Sequence, residues 1–481
     1  MKKRTWFAVL FVCCLKIAAA QGVRYQAIHS GVPWMDDEGH TVSAHGACIV
    51  KENDRYYLFG EYKTDSANVF NGFACYSSTD LYNWKFERMA LPVQPSGKLG
   101  PNRVGERPKV MKSPATGEYV MFMHVDSTDY KDQYVGYATA KTITGPYTFR
   151  GPILYQGKPI RRWDMGTFQD DDGTGYLLVH HGDIYRLSDD YQRIEAQVAN
   201  DIEGAGESPA MVKKNGTYYL LTSNLTSWER NDNQYHTAPS LSGPWTEQGL
   251  FAPKGSLTWN SQCSFVLAIN GSKDTTFMYM GDRWSFPKQQ SAATYVWQPL
   301  TIDQGRLSIP AFQESWTVDV TTGTHRAYSN EQKEIPLMDA DTAYFHGNWA
   351  KDTAGTRSAS RKGDRFAFPF TGIGLSLYGL ARPDGGYAEI SIQDQHGKSV
   401  VETVVDMYCQ YPAATLKFVS PSLKRGRYTL TVTVMGEWGN WSDKRRSDYG
   451  STGYVVALQK VLVDDRQDPV WDRSEPPNLH R

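Results

Sequence analysis

The sequence is poor in cysteine, in net charge and in long apolar runs. Six cysteines are present, and two of them, Cys13 and Cys14, fall in the first apolar stretch. Cys48, Cys75, Cys263 and Cys409 remain, too few in a chain of 481 residues for a disulfide scaffold. No C-x-x-C pair or Cys/His cluster offers zinc a ligand set. Cys48 and Cys263 sit in apolar strand starts, as packing thiols do. A formal charge of −1 gives neither nucleic acid nor an anionic membrane an electrostatic footprint. No stretch of useful length has the helical apolar period, and none is long enough to span a bilayer, so no transmembrane segment is expected. The longest apolar run opens the chain, in MKKRTWFAVLFVCCLKIAAAQG. A basic start, a short apolar stretch and Ala18-x-Ala20 read as a signal peptide over residues 1–20, cut before Gln21. That predicts a secreted or periplasmic protein. Lipid attachment at Cys13 or Cys14 is disfavoured because small residues are missing just before either.

Aromatic residues, by contrast, are plentiful: 13% of the chain, with 14 Trp and 29 Tyr. Such a content suits β-strands first of all, and it also suits stacking on sugar rings. One local pattern also returns five times. It runs over Ala44 to Glu61, Gly105 to Asp126, Asp164 to Gly182, Gly206 to Asn224 and Ser261 to Asp282. Each copy is an apolar run, a turn rich in Gly, Asn or Asp, and a second apolar run, which is the signature of a β-hairpin. Repeats of this length built from hairpins predict propeller blades. The copies open on His45, Glu106, Asp164, Glu207 and Gln262. In a radial arrangement these five converge on one axial pocket.

A second phrase recurs independently, as SSTDLYNWKF, TAKTITGPYTF, RLSDDYQRIE and TAPSLSGPWTE, and reads as outer strands joined by a turn. The expected architecture is therefore all-β: a five-bladed β-propeller over 24–318, followed by a jelly-roll β-sandwich. Residues 319–338 read as a polar linker or a blade-closing return. From 339 to 466 the alternation changes, as in RFAFPF, YAEISIQD and YTLTVTV, which suggests the sandwich. Residues 467–481 form a polar tail.

The chemistry-bearing positions follow from these repeats. Glu207, in GAGESPAM, enters a strand at a pocket rim, where desolvation raises a carboxyl's pKa and suits it to protonate a glycosidic oxygen. Asp164, in WDMGTFQDDDGTGYL, would hold that proton by like-charge repulsion, whereas Asp170 to Asp172 belong to the turn. Glu106, in GERPKV, is the equivalent carboxylate of the second copy. His45 either lines the axis or is a satisfied strand histidine. Trp228, in TSWERN with Thr226, either stacks on substrate or packs a loop.

With these phrases in place, the chain resembles glycoside hydrolase family 43 over about residues 28 to 310. The resemblance rests on "WDMGTFQDDDGTGYL" and "GAGESP". It implies a five-bladed propeller and an inverting enzyme, with Asp164 tuning and Glu207 as the acid. One departure stands out: AHGACIV carries His45-Gly46 where the family's aspartate base is usual. The exo-β-1,3-galactanase branch is similar in this respect and in its WNSQ phrase, here with Gln262. That likeness implies roles for Gln262 and Glu106 at the attacking water, and for Glu61 and Tyr130 at the sugar. Which of Gln262 and Glu106 prepares the water stays open; a neutral amide is a poor base.

The expected function is an exo-acting inverting glycosidase that releases galactose from β-1,3-galactan, the backbone of arabinogalactan. Two alternatives stand beside it. One is an arabinofuranosidase or xylosidase of the same family; the other is a non-catalytic glycan-binding propeller. The partner in each case is a polysaccharide or oligosaccharide. No cofactor and no metal in the site is expected, and the sequence carries no signal for or against structural calcium. It says nothing of oligomeric state. The sandwich, with aromatics at Trp349, Tyr387, Tyr408, Trp438 and Trp441, reads equally as a carbohydrate-binding module or as a packing domain.

Overall fold

The structure is a computed structural model that describes residues 24–329, 332–353, 355–442 and 448–466. The expected signal peptide and the tail from 467 lie outside the described residues. What is described is all-β; helix is confined to short turns at His180–Gly182, Leu257–Asn260 and Thr342–Tyr344. No helix among the described residues is long and apolar enough to cross a membrane.

All five repeated hairpins form. His45–Glu52 pairs with Arg55–Glu61, Arg103–Lys112 with Tyr119–Ser127, and Met165–Gln169 with Gly175–Val179. Glu207–Lys214 pairs with Thr217–Ser223, and Gln262–Asn270 with Thr275–Arg283. The turn chemistry matches: Asn215-Gly216 are both left-handed, with φ of 50° and 78°, as a tight two-residue hairpin turn requires. Two further strands extend each hairpin outward, giving five four-stranded antiparallel sheets in simple sequence order.

Burial arranges these sheets. The first strand of each packs on the first strand of the next, and that of the fifth packs back on that of the first. An apolar cluster fills every gap between neighbours. Phe59 and Met121 meet between the first and second sheets, and Phe122 and Leu177 between the second and third. Leu178 and Leu220 join the third and fourth, and Leu221 and Tyr279 the fourth and fifth. Leu58 and Trp297 close the fifth on the first. At that closure the start of the domain is tied to its end, because Ile28–His29 pairs with Ser315–Asp319.

Residues 319–338, expected as linker or return, carry two strands. Thr324–Ala327 pairs with Ser315–Asp319, and Lys333–Pro336 pairs with Val456–Asp464. Their side chains are largely exposed, so composition reads as linker while the backbone is held in ladders. Beyond them, two antiparallel sheets share one core. Strands such as Gly374–Ala381 and Val456–Asp464 belong to one, and Arg365–Gly372, Tyr387–Asp394 and Gly426–Val434 to the other. Leu377, Phe418 and Val461 face Phe366, Ile390 and Val432 in that core. The four cysteines are free and buried.

Trp316 tests the closure. It is fully buried, and its indole donates to the Trp297 carbonyl at 2.9 Å. Trp316→Ala should lower stability by about 3–5 kcal/mol, the usual cost of deleting a buried indole. Equilibrium denaturation measures this, and a loss below about 1 kcal/mol would show that the seam carries no load.

Candidate active site

Four of the five repeat-opening side chains, Glu106, Asp164, Glu207 and Gln262, line one cavity of ≈ 680 Å³. The strand starts that carry them are irregular in a consistent way. The pairing slips between His45 and Cys48, Glu106 and Lys109, Glu207 and Ala210, and Cys263 and Phe265. In the first, second and fourth sheets the next residue is left-handed: Gly46 (φ 60°), Arg107 (φ 52°) and Ser208 (φ 57°). Such bulges re-aim side chains at a sheet rim. Glycine suits position 46, where a Cβ would crowd the Glu61 carboxylate and stand 3.1 Å from the Arg107 Cα. Arg107 and Ser208 bear the strain of that backbone, about 1–3 kcal/mol each, so the surroundings must hold them. Asp164 holds both: its Oδ1 pairs with Arg107 Nε at 3.0 Å, and its Oδ2 accepts from Ser208 Oγ at 2.8 Å.

Glu207 is buried and, unlike Glu106 and Asp164, has no ion-pair partner. Its Oε1 accepts from Gln262 Nε2 at 3.0 Å, and Trp163 Nε1 lies 3.4 Å from Oε2. Desolvation first, then repulsion from Asp164, pushes its pKa up to about 8, against the pull of Arg107. The carboxyl is therefore protonated at neutral pH. Gln262 has every hydrogen-bonding position occupied. Its oxygen accepts from Arg107 Nη2 at 2.7 Å and Trp284 Nε1 at 2.8 Å, while its nitrogen donates to Glu207 and to Ser223 Oγ at 3.0 Å.

Glu106 is the opposite case. Burial alone would raise its pKa, but His124 Nδ1 at 2.9 Å, the Lys63 charge and Asn68 Nδ2 at 2.7 Å hold it well below the carboxylate range. Tyr130 Oη also donates to it, at 3.0 Å. His124 in turn lies between Glu106 and Asp126, 3.1 Å from Nε2. Burial opposes its charge, yet the two carboxylates lift it to about 9, so it is an imidazolium. Glu61 pairs with Lys63 and accepts from the Arg107 backbone N–H at 2.9 Å, which joins the two networks.

Glu61, Tyr130 and Trp228 line the cavity as expected of substrate contacts. His45 and Thr226 do not. His45 is fully buried, bonded through Nδ1 to Asp282 at 3.1 Å and stacked on Tyr295, while its Nε2 has no partner among the described residues; it is a core histidine and not part of the cavity wall. Thr226 spends its hydroxyl on the Glu229 carbonyl at 2.6 Å and on Asn231, while its neighbours Leu225 and Ser227 face the cavity. Sequence reading missed Arg107, His124, Trp163 and Trp284. Two had a signal: Arg107 lies inside the GERPK phrase, and His124 interrupts the apolar run YVMFMHV. Ser442, from the C-terminal domain, also reaches the cavity wall. Among the described residues no group of His, Cys, Asp and Glu is arranged to hold a metal ion.

The sequence profile of Glycosyl hydrolases family 43 matches residues 41–255. The solved exo-β-1,3-galactanase from Phanerochaete chrysosporium is 30% identical, covers 91% of this chain and 99% of its own, and superposes with a TM-score of 0.65. The chain belongs to glycosyl hydrolase family 43. Another solved structure, a putative exo-β-1,3-galactanase from Bifidobacterium bifidum, is 38% identical over 58% of this chain and 95% of its own, with a TM-score of 0.54. A β-D-galactofuranosidase from Aspergillus niger is 29% identical over 209 residues, 40% of this chain, which spans 60% of that relative's length.

The raised pKa of Glu207 carries a stability cost with a definite sign. Below about 4.5 both folded and unfolded states keep the proton. As pH rises from there to about 8, the unfolded state releases it and the folded state does not, so stability falls. Glu207→Gln removes this dependence. Its Tm relative to wild type should climb steadily across that window in calorimetric scans; a constant offset would mean that Glu207 is not held protonated.

Proposed function

We propose that this family 43 chain is an exo-acting, inverting glycosidase that removes galactose from β-1,3-galactan. One observation carries the reading: a single cavity holds a protonated carboxyl, Glu207, and a carboxylate held ionised, Glu106. Inverting hydrolysis needs that pair of states, an acid for the leaving oxygen and a carboxylate for the attacking water. The sugar is suggested by the near full-length likeness to an exo-β-1,3-galactanase solved with galactose. The five sheets, read as blades of a five-bladed propeller, and the two C-terminal sheets, read as a jelly-roll sandwich, complete the proposal. So does export by residues 1–20.

In this mechanism Glu207 protonates the glycosidic oxygen, and Asp164 keeps that proton in place by its charge while locking Arg107 and Ser208. Glu106 takes the water. The support is that Gln262 has no free lone pair on its oxygen, which already accepts from Arg107 and Trp284. Gln262 then serves to hold the acid. A carboxylate as strongly ionised as Glu106 is a weak base, but water attacking an oxocarbenium-like centre becomes acidic as the bond forms. Trp228, half-buried at the cavity wall, offers a face to the sugar.

Early-time proton NMR of product from β-1,3-galactobiose should show α-galactose appearing first; β-galactose first would refute inversion. The alkaline limb of kcat/KM should fall near pH 8, where Glu207 loses its proton. Glu207→Gln should cost on the order of 100-fold or more in kcat while the fold survives. A second sugar is favoured by the curated relatives, a β-D-galactofuranosidase and an exo-α-(1→5)-L-arabinofuranosidase. An aryl-glycoside panel separates the two, since cleavage of furanosides alone would sink the galactan reading.

A further inference from the structure

The acid is held by Gln262, and Gln262 can hold it only in one of its two amide orientations. With the oxygen toward Arg107 and Trp284, the nitrogen faces Glu207. A half-turn would set two N–H groups against two donors and leave Glu207 only the longer contact to Trp163 Nε1. Trp284 therefore fixes the acid at one remove. Yet Trp284 lies just beyond the strand Thr275–Arg283, whose ladder with Thr294–Asp303 ends at Arg283. Something other than the sheet must hold it.

That support comes from the C-terminal domain. Ser285 Oγ donates to Asp406 Oδ2 at 2.8 Å, and Tyr387 Oη donates to the Ser285 carbonyl at 3.1 Å. Lys288 pairs with Glu437 at 3.0 Å. The other cavity wall is gripped in the same way. Tyr408 Oη donates to Glu229 Oε2 at 2.6 Å, beside Trp228. Arg230, over the Tyr408 ring at 5.2 Å, donates through Nη1 to the Trp284 carbonyl at 3.0 Å. Asp406 accepts the Tyr408 backbone N–H at 2.8 Å, so the two grips share one loop. Tyr387, Tyr408, Ser285, Glu229 and Arg230 are all buried.

We propose that Tyr387, Asp406 and Tyr408 are positioning residues for the reaction: they clamp the segments bearing Trp284 and Trp228, and through Trp284 and Gln262 they aim the proton of Glu207. The C-terminal sheets are then part of the catalytic unit. The inference rests on Glu207 being the acid.

The test compares leaving groups in the full chain. A disaccharide alcohol leaves only when protonated, whereas 2,4-dinitrophenolate leaves without help. In Asp406→Asn and Tyr408→Phe, kcat on β-1,3-galactobiose should fall about 10–100-fold, the cost of a misplaced catalytic group. Turnover of 2,4-dinitrophenyl β-galactoside should change less than about 3-fold, and Tm should stay near wild type. Tyr408→Phe removes one hydroxyl, so it keeps the test alive if Asp406→Asn fails to fold. Equal losses on both substrates, or no loss on either, would overturn the clamp. If wild type spares galactosides altogether, the substrate reading falls, and the same contrast on the glycosides it does cleave still decides the clamp.

Discussion

The site depends on one buried cation. Arg107 pairs with Asp164, donates to the oxygen of Gln262, and gives its backbone N–H to Glu61. Burial works against its charge, but Asp164, Glu61 and Asp282 more than restore it. Asp164, Gln262 and Glu61 come from the third, fifth and first repeats, so Arg107 links the repeats at the rim where the chemistry lies. A lysine could not replace it, because the role needs several donors in a fixed fork.

Around that cation, burial is used in two opposite ways. Glu207 is desolvated with a like charge nearby and no cation of its own, so it keeps its proton. Glu106 is as deeply placed but meets His124, Asn68 and Tyr130, so it gives its proton up. Identical side chains at equivalent repeat positions thus take opposite states, and the neighbours decide which.

Much of this was legible in the chain. The five hairpins, the outer strands and the repeat-opening residues formed as their periodicity and turn chemistry implied, because both are local properties. Glu106, Asp164, Glu207 and Gln262 met in one cavity because the repeat fixes their phase. His45 shares that phase but turns into the core, where Asp282 and Tyr295 claim its ring. Thr226 sits in the right loop, but its hydroxyl is turned to the loop's own backbone. Residues 319–338 look like linker by composition, since ladder pairing leaves no mark on exposed side chains.

The sequence by itself determined an all-β chain, its repeat, and which acidic side chains would share one cavity. Only the tertiary structure decided which carboxyl keeps a proton, that Gln262 is fully occupied, and that Trp284 and the C-terminal Tyr387, Asp406 and Tyr408 stand behind it. The reason is physical. Strand and turn preferences act between residues close in the chain, whereas desolvation and hydrogen-bond saturation depend on groups brought together from more than a hundred positions away, as Ser285 and Asp406 are.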